Sequence, residues 1–119
     1  MVLRITNDPP EQYALTDKVM TPKDFADPAT HPYIASRKWN KVYVDIDDTQ
    51  MPTGLIRQLV RVYVIVPVIR DVENISTRGM LLLGEIYPDY ISKLRAFYMK
   101  DRAQFTQLVR QLVGGRDDG

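Results

Sequence analysis

Residues 60–69 read Val-Arg-Val-Tyr-Val-Ile-Val-Pro-Val-Ile, with seven β-branched side chains in ten positions. Such side chains are stiff in a helix and fit a pleated surface, so the run reads as a strand buried on at least one face. Upstream, the segment from Lys38 alternates strictly: Val42, Val44 and Ile46 point one way, and Trp39, Lys41, Tyr43, Asp45 and Asp47 the other. That is the period of a half-buried strand. If Pro52-Thr53-Gly54 turns the chain, Val60, Val62, Val64 and Val66 continue the buried face, with Arg57, Leu59, Arg61, Tyr63 and Ile65 on the other. The expectation is an antiparallel hairpin with a loop from Asp48 to Leu55 and residues 41–47 opposite 57–63. A competing reading makes Gly54 to Tyr63 a helix, because Leu55, Ile56, Leu59, Val60 and Tyr63 also fit helical spacing; β-branched content favours the strand.

Outward from this centre the chain changes character twice. Five of the eight prolines (Pro9, Pro10, Pro22, Pro28 and Pro32) fall in the first 32 residues. Proline removes ladder donors and extends its neighbour, so residues 1–36 read as an extended arm, with a short turn of helix capped by Thr21 and opened by Pro22. The arm carries Tyr13, Leu15, Val19, Met20, Phe25, Tyr33 and Ile34, more apolar anchors than a disordered tail keeps. Met80 to Tyr87 is apolar but interrupted by Gly84 and preceded by Gly79. Beyond Pro88, Ile91, Leu94, Tyr98, Phe105, Leu108 and Leu112 form an amphipathic stripe. It belongs to one long helix or to two meeting near Lys100, where Asp101 and Gln104 form a capping pair. Gly114-Gly115 stops the helix and residues 116–119 fray. The expected fold is α+β: an N-terminal arm (1–36), and a small domain (37–115) with an antiparallel hairpin packed on C-terminal helices.

The totals bound the function. A chain of 119 residues fits one domain, and its longest apolar stretch is far short of the roughly 20 residues that span a bilayer, so no membrane insertion is expected. The N-terminus lacks a signal-peptide h-region, which points to an intracellular (cytoplasmic) or virion location. Zero cysteines exclude disulfides, thiolate metal sites and a Cys nucleophile. The net charge of +1 conceals an asymmetry: residues 1–36 carry three basic and five acidic groups, and residues 37–70 six and three. His31 stands alone in a loop, and no glycine-rich turn opens a helix to cradle phosphate, so no cofactor is expected.

The sharpest local pattern is Lys-Val-Tyr-Val-Asp-Ile-Asp-Asp-Thr, residues 41–49. An apolar strand ending in Asp-x-Asp-x-Thr resembles the first motif of haloacid-dehalogenase-type phosphotransferases. The resemblance implies that Asp45 attacks phosphorus and that Asp47 serves as acid and base. Residues 81–89, Leu-Leu-Leu-Gly-Glu-Ile-Tyr-Pro-Asp, resemble that family's later metal-binding motif, with Glu85 where Asp is usual. An aspartate cluster at a strand end also serves as an Asx-turn and hydration site, which is the role expected of these carboxylates.

The outward face of the expected hairpin gathers Trp39, Lys41, Tyr43, Arg57, Arg61 and Tyr63, the aromatic and basic interleaving that binds single-stranded nucleic acid. The same groups also satisfy one another as cross-strand pairs. An arm with anchors but no means of folding alone, beside a thin sheet, points first to a non-enzymatic assembly subunit of a homo-oligomer or large complex. In that expectation the arm docks on another protein subunit. Nucleic-acid binding is the second expectation and phosphoryl transfer the third.

Overall fold

The structure is a computed structural model that describes residues 1–47 and 50–114. Four strands, β1 (Val2–Ile5), β2 (Lys18–Met20), β3 (Lys41–Asp45) and β4 (Ile65–Val68), form one sheet in the order β2-β1-β3-β4. Every pairing is parallel, with Leu3 beside Val42 and Val42 beside Ile65. The fold is therefore α+β with an all-parallel sheet, and the antiparallel hairpin is not formed.

The correction turns on residues 53–60. They form helix α3 (Thr53–Val60), which buries Ile56 and half-buries Leu55, Leu59 and Val60, so the helical periodicity outweighs the β-branched content. The strand begins only at Ile65, and α3 is the crossover that a parallel pair requires. Val62 and Val64, expected inside, are 71% and 50% exposed. Val42, Val44 and Ile46 are fully buried, as their alternation predicts. Pro67 lies within β4, where an edge strand tolerates its missing donor.

Residues 1–36 are not a separate arm. β1 lies between β2 and β3, and Leu3 and Ile5 are fully buried beside Val42 and Val44. Two short helices follow, α1 (Pro22–Ala26) and α2 (His31–Ala35). The first is capped by Thr21, whose hydroxyl accepts from the Asp24 amide at 3.1 Å. Prolines at the first helical positions open both helices and do not break them. Phe25, Ile34 and Trp39 join the central core, each contributing about 1.5–3 kcal/mol by burial.

Helix α4 (Thr77–Ile86) begins at Ser76, whose hydroxyl accepts from the Gly79 amide at 3.0 Å. Its two glycines are packing devices: a Cβ on Gly84 would fall 2.9 Å from Ile91 Cγ1. The C-terminal stripe divides into α5 (Ile91–Lys100) and α6 (Arg102–Gly114). Asp101 stands between them and accepts from the Gln104 amide at 3.2 Å. The expected loop residues Asp48 and Thr49, the expected stop at Gly115 and the tail 116–119 lie outside the described residues.

Candidate functional site at the strand ends

The chain leaves β1 toward β2 and leaves β3 toward β4, in opposite directions across the sheet. Between two such strands the loops diverge, and in open parallel sheets this is where ligands bind. Thr6 and Asp8 follow β1, Asp45 and Asp47 close β3, and Arg70 follows β4.

Arg70 joins the three loops. Its Nη2 contacts Asp8 Oδ2 and lies 3.1 Å from Asp45 Oδ2, to which Nε donates at 3.3 Å. Thr6 Oγ1 donates to the same Asp45 oxygen at 3.5 Å and accepts from the Asp8 amide at 3.1 Å. The Asp47 amide donates to Asp45 Oδ1 at 3.2 Å. Asp45 is therefore held on both oxygens, with a side chain 12% exposed, while Arg70 is 49% exposed and open to solvent. Tyr13 completes the cluster by donating its hydroxyl to Asp8. Its ring also stacks on the Arg4 guanidinium, which lies 4.1 Å from the Tyr13 centroid and 4.4 Å from that of Tyr43.

The two flanking carboxylates are set apart electrostatically. Hydrogen bonds from Arg70 and then Tyr13 hold Asp8 below the ordinary 3.8. Burial, and then the charge of Asp45, push Asp47 above that value, against a bond from the Arg70 backbone amide. The ion pair thus favours the charged form of Asp8, while burial disfavours the charge on Asp47. Such a difference between neighbouring carboxyls suits acid–base work.

The residues expected to bind nucleic acid do not share a face. Trp39 is buried and donates its indole N–H to the Ile34 carbonyl at 3.0 Å, and Tyr43 lies against Arg4. Tyr63 donates to the Arg37 carbonyl at 3.3 Å, and Arg57 on α3 is bound to Glu85 on α4. Lys41 and Arg61 are exposed on different elements. Once 57–60 is helix, the hairpin surface that gathered them does not exist. Of the expected partner-binding anchors, Met20, Phe25 and Ile34 are in the chain's own core. Tyr13 is engaged as above, Val19 and Tyr33 are half-buried, and Leu15 is 98% exposed. Asp45 and Asp47 were legible in the motif, whereas Thr6, Asp8 and Arg70 were not singled out. The turn signal Thr-Asn-Asp-Pro-Pro after an apolar strand was the available clue to the first two.

Comparison of the chain with protein-family models, with curated proteins and with solved structures gives no match. The resemblance of residues 41–49 to a phosphotransferase motif implies a divalent cation, and the donors here do not fit one. Among the described residues no three carboxylate or imidazole groups converge as a metal site. Oδ2 of Asp8 and Oδ2 of Asp45 are both turned to the Arg70 guanidinium. Glu85 is held by Arg57 at 2.7 and 2.8 Å.

Proposed function

We propose that this chain transfers phosphoryl groups at the strand-end cluster, with Asp45 as nucleophile and Asp47 as the proton carrier. What supports the reading is the position of Asp45: it ends a central parallel strand at the point where the loops diverge, braced by Arg70. In the reaction, an Asp45 oxygen forms a bond to phosphorus as the bond to the leaving oxygen breaks. The Asp47 proton passes to that oxygen. Water then attacks phosphorus, gives its proton back to Asp47, and releases phosphate from the aspartyl carboxylate. Arg70, exposed beside the nucleophile, offsets the charge of the incoming phosphoryl oxygens.

This reading departs from the expectation of a non-enzymatic assembly subunit. That expectation drew on seven apolar anchors, and the three most buried of them, Met20, Phe25 and Ile34, stabilise the chain itself.

The test is hydrolysis of p-nitrophenyl phosphate, with trapping of a phosphorylated aspartate by mass spectrometry. Wild type should turn over and carry the adduct on Asp45, and Asp45→Asn should do neither. A folded wild-type protein that forms no adduct and hydrolyses no phosphate ester, with or without Mg²⁺, would refute the reading.

A further inference from the structure

The strand-end cluster contains its own cation. We infer that Arg70 takes the place of a divalent metal at this site, so that the oxyanion of a phosphate monoester is bound by the guanidinium without one. The inference rests on the phosphoryl-transfer reading of Asp45.

Three observations carry it. The inward oxygens of Asp8 and Asp45, the donors that a bridging metal would need, already converge on Arg70 Nη2. Asp8 comes from the loop after β1 and Asp45 from the end of β3, while Arg70 comes from the loop after β4, so the topology itself delivers the positive charge between them. Finally, the residue that sequence resemblance assigns to a metal motif, Glu85, is satisfied by Arg57 on the neighbouring helix.

The chemistry is adequate to the role. A guanidinium is charged at every working pH, and its N–H groups form charge-assisted hydrogen bonds to phosphate oxygens. The carboxylates engage Nε and Nη2, and among the described residues no hydrogen bond or ion pair is seen from Nη1, whose donors face an incoming ligand.

Calorimetric titration of the full chain with inorganic phosphate tests this, first in EDTA and then with MgCl₂. Phosphate should bind in EDTA, and Mg²⁺ should leave the affinity unchanged. Arg70→Ala should lose phosphate binding in EDTA, and Arg70→Lys should retain a weakened part of it; thermal transitions identify any variant that fails to fold. Binding that requires Mg²⁺, no binding under either condition, or a folded Arg70→Ala protein that binds as wild type does would overturn the inference. The two readings fail separately. Asp45-dependent hydrolysis seen only with Mg²⁺ removes the metal-free inference and keeps phosphoryl transfer. Phosphate binding in EDTA without turnover or adduct keeps Arg70 as the anion's partner and removes phosphoryl transfer.

Discussion

Gly79 of α4 approaches Ile46 so closely that a Cβ at position 79 would lie 3.2 Å from the Ile46 carbonyl oxygen and 2.9 Å from Ile75 Cγ2. Ile46 separates the two motif aspartates, so α4 presses directly on the backbone that sets Asp45 and Asp47.

Gly79→Ala should therefore destabilise the protein by about 1–3 kcal/mol from overpacking, less up to about 1 kcal/mol returned by helix propensity. Gly54→Ala in α3, where nothing lies within 4 Å of the added carbon, should stabilise by roughly 0.5–1 kcal/mol. Urea denaturation with unchanged slopes measures both. Equal effects at the two positions would mean that α4 does not lie against Ile46 as described.

Asp47 should trade stability for activity. Its folded value is raised above 3.8, mainly by burial, so the folded chain holds this proton more tightly than the unfolded chain. Stability from this group falls as pH rises from 3.8 through the raised value, and the deficit persists above it. Asp47→Asn should raise the melting temperature at neutral pH and lose that advantage below 3.8, while turnover falls roughly 10²–10⁴-fold. A variant with lower stability at neutral pH would contradict the burial argument.

Acid should act in the opposite sense on Asp8 and Glu85. Arg70 lowers the first from 3.8 and Arg57 lowers the second from 4.5, so their contributions are complete above those values. They are lost as pH falls through the lower folded values. Asp8→Asn and Glu85→Gln should each flatten the acid limb of a pH–stability profile. The Glu85 effect should shrink in high salt, because Arg57 is 62% exposed. An unchanged acid limb in both variants would show that the ion pairs do not persist in solution.

Phe25 distinguishes a core element from a detachable arm. It is 2% exposed, and Phe25→Ala should lower unfolding stability by about 3–5 kcal/mol. Removing residues 1–20 should abolish the cooperative thermal transition, since β1 and β2 leave with them. A truncated chain that melts as wild type does would restore the arm.

Local signals were legible wherever they were locally sufficient. The alternation of Val42, Val44 and Ile46 and the Thr21 cap each depend on a few adjacent residues, whereas the Asp101–Gln104 pair left one long helix and two helices both open. Strand β1 has four residues and precedes two prolines, so its central place is set by partners far along the chain. Parallel pairing leaves no turn signature of the kind a hairpin has, and Val60 fits α3 as readily as a strand. The glycines of α4 weaken helix propensity, and the close approach of Ile46 and Ile91 that leaves no room for a Cβ depends on the tertiary packing. Likewise Asp45 and Asp47 announce themselves in a motif, whereas Asp8 and Arg70 meet them only through the order of the strands.

The wholly parallel sheet has a kinetic consequence. No two of the described strands are joined by a tight turn, and Leu3, which pairs with Lys18 on its outer side, must wait for Val42 before its central ladder forms. Closing loops of this length precedes any gain from pairing, so refolding should be slow for a chain of this size, in milliseconds to seconds and not microseconds. During synthesis the first strand emerges long before its central neighbour, and its buried face, Leu3 and Ile5, stays unprotected until residues past Asp45 have left the ribosome.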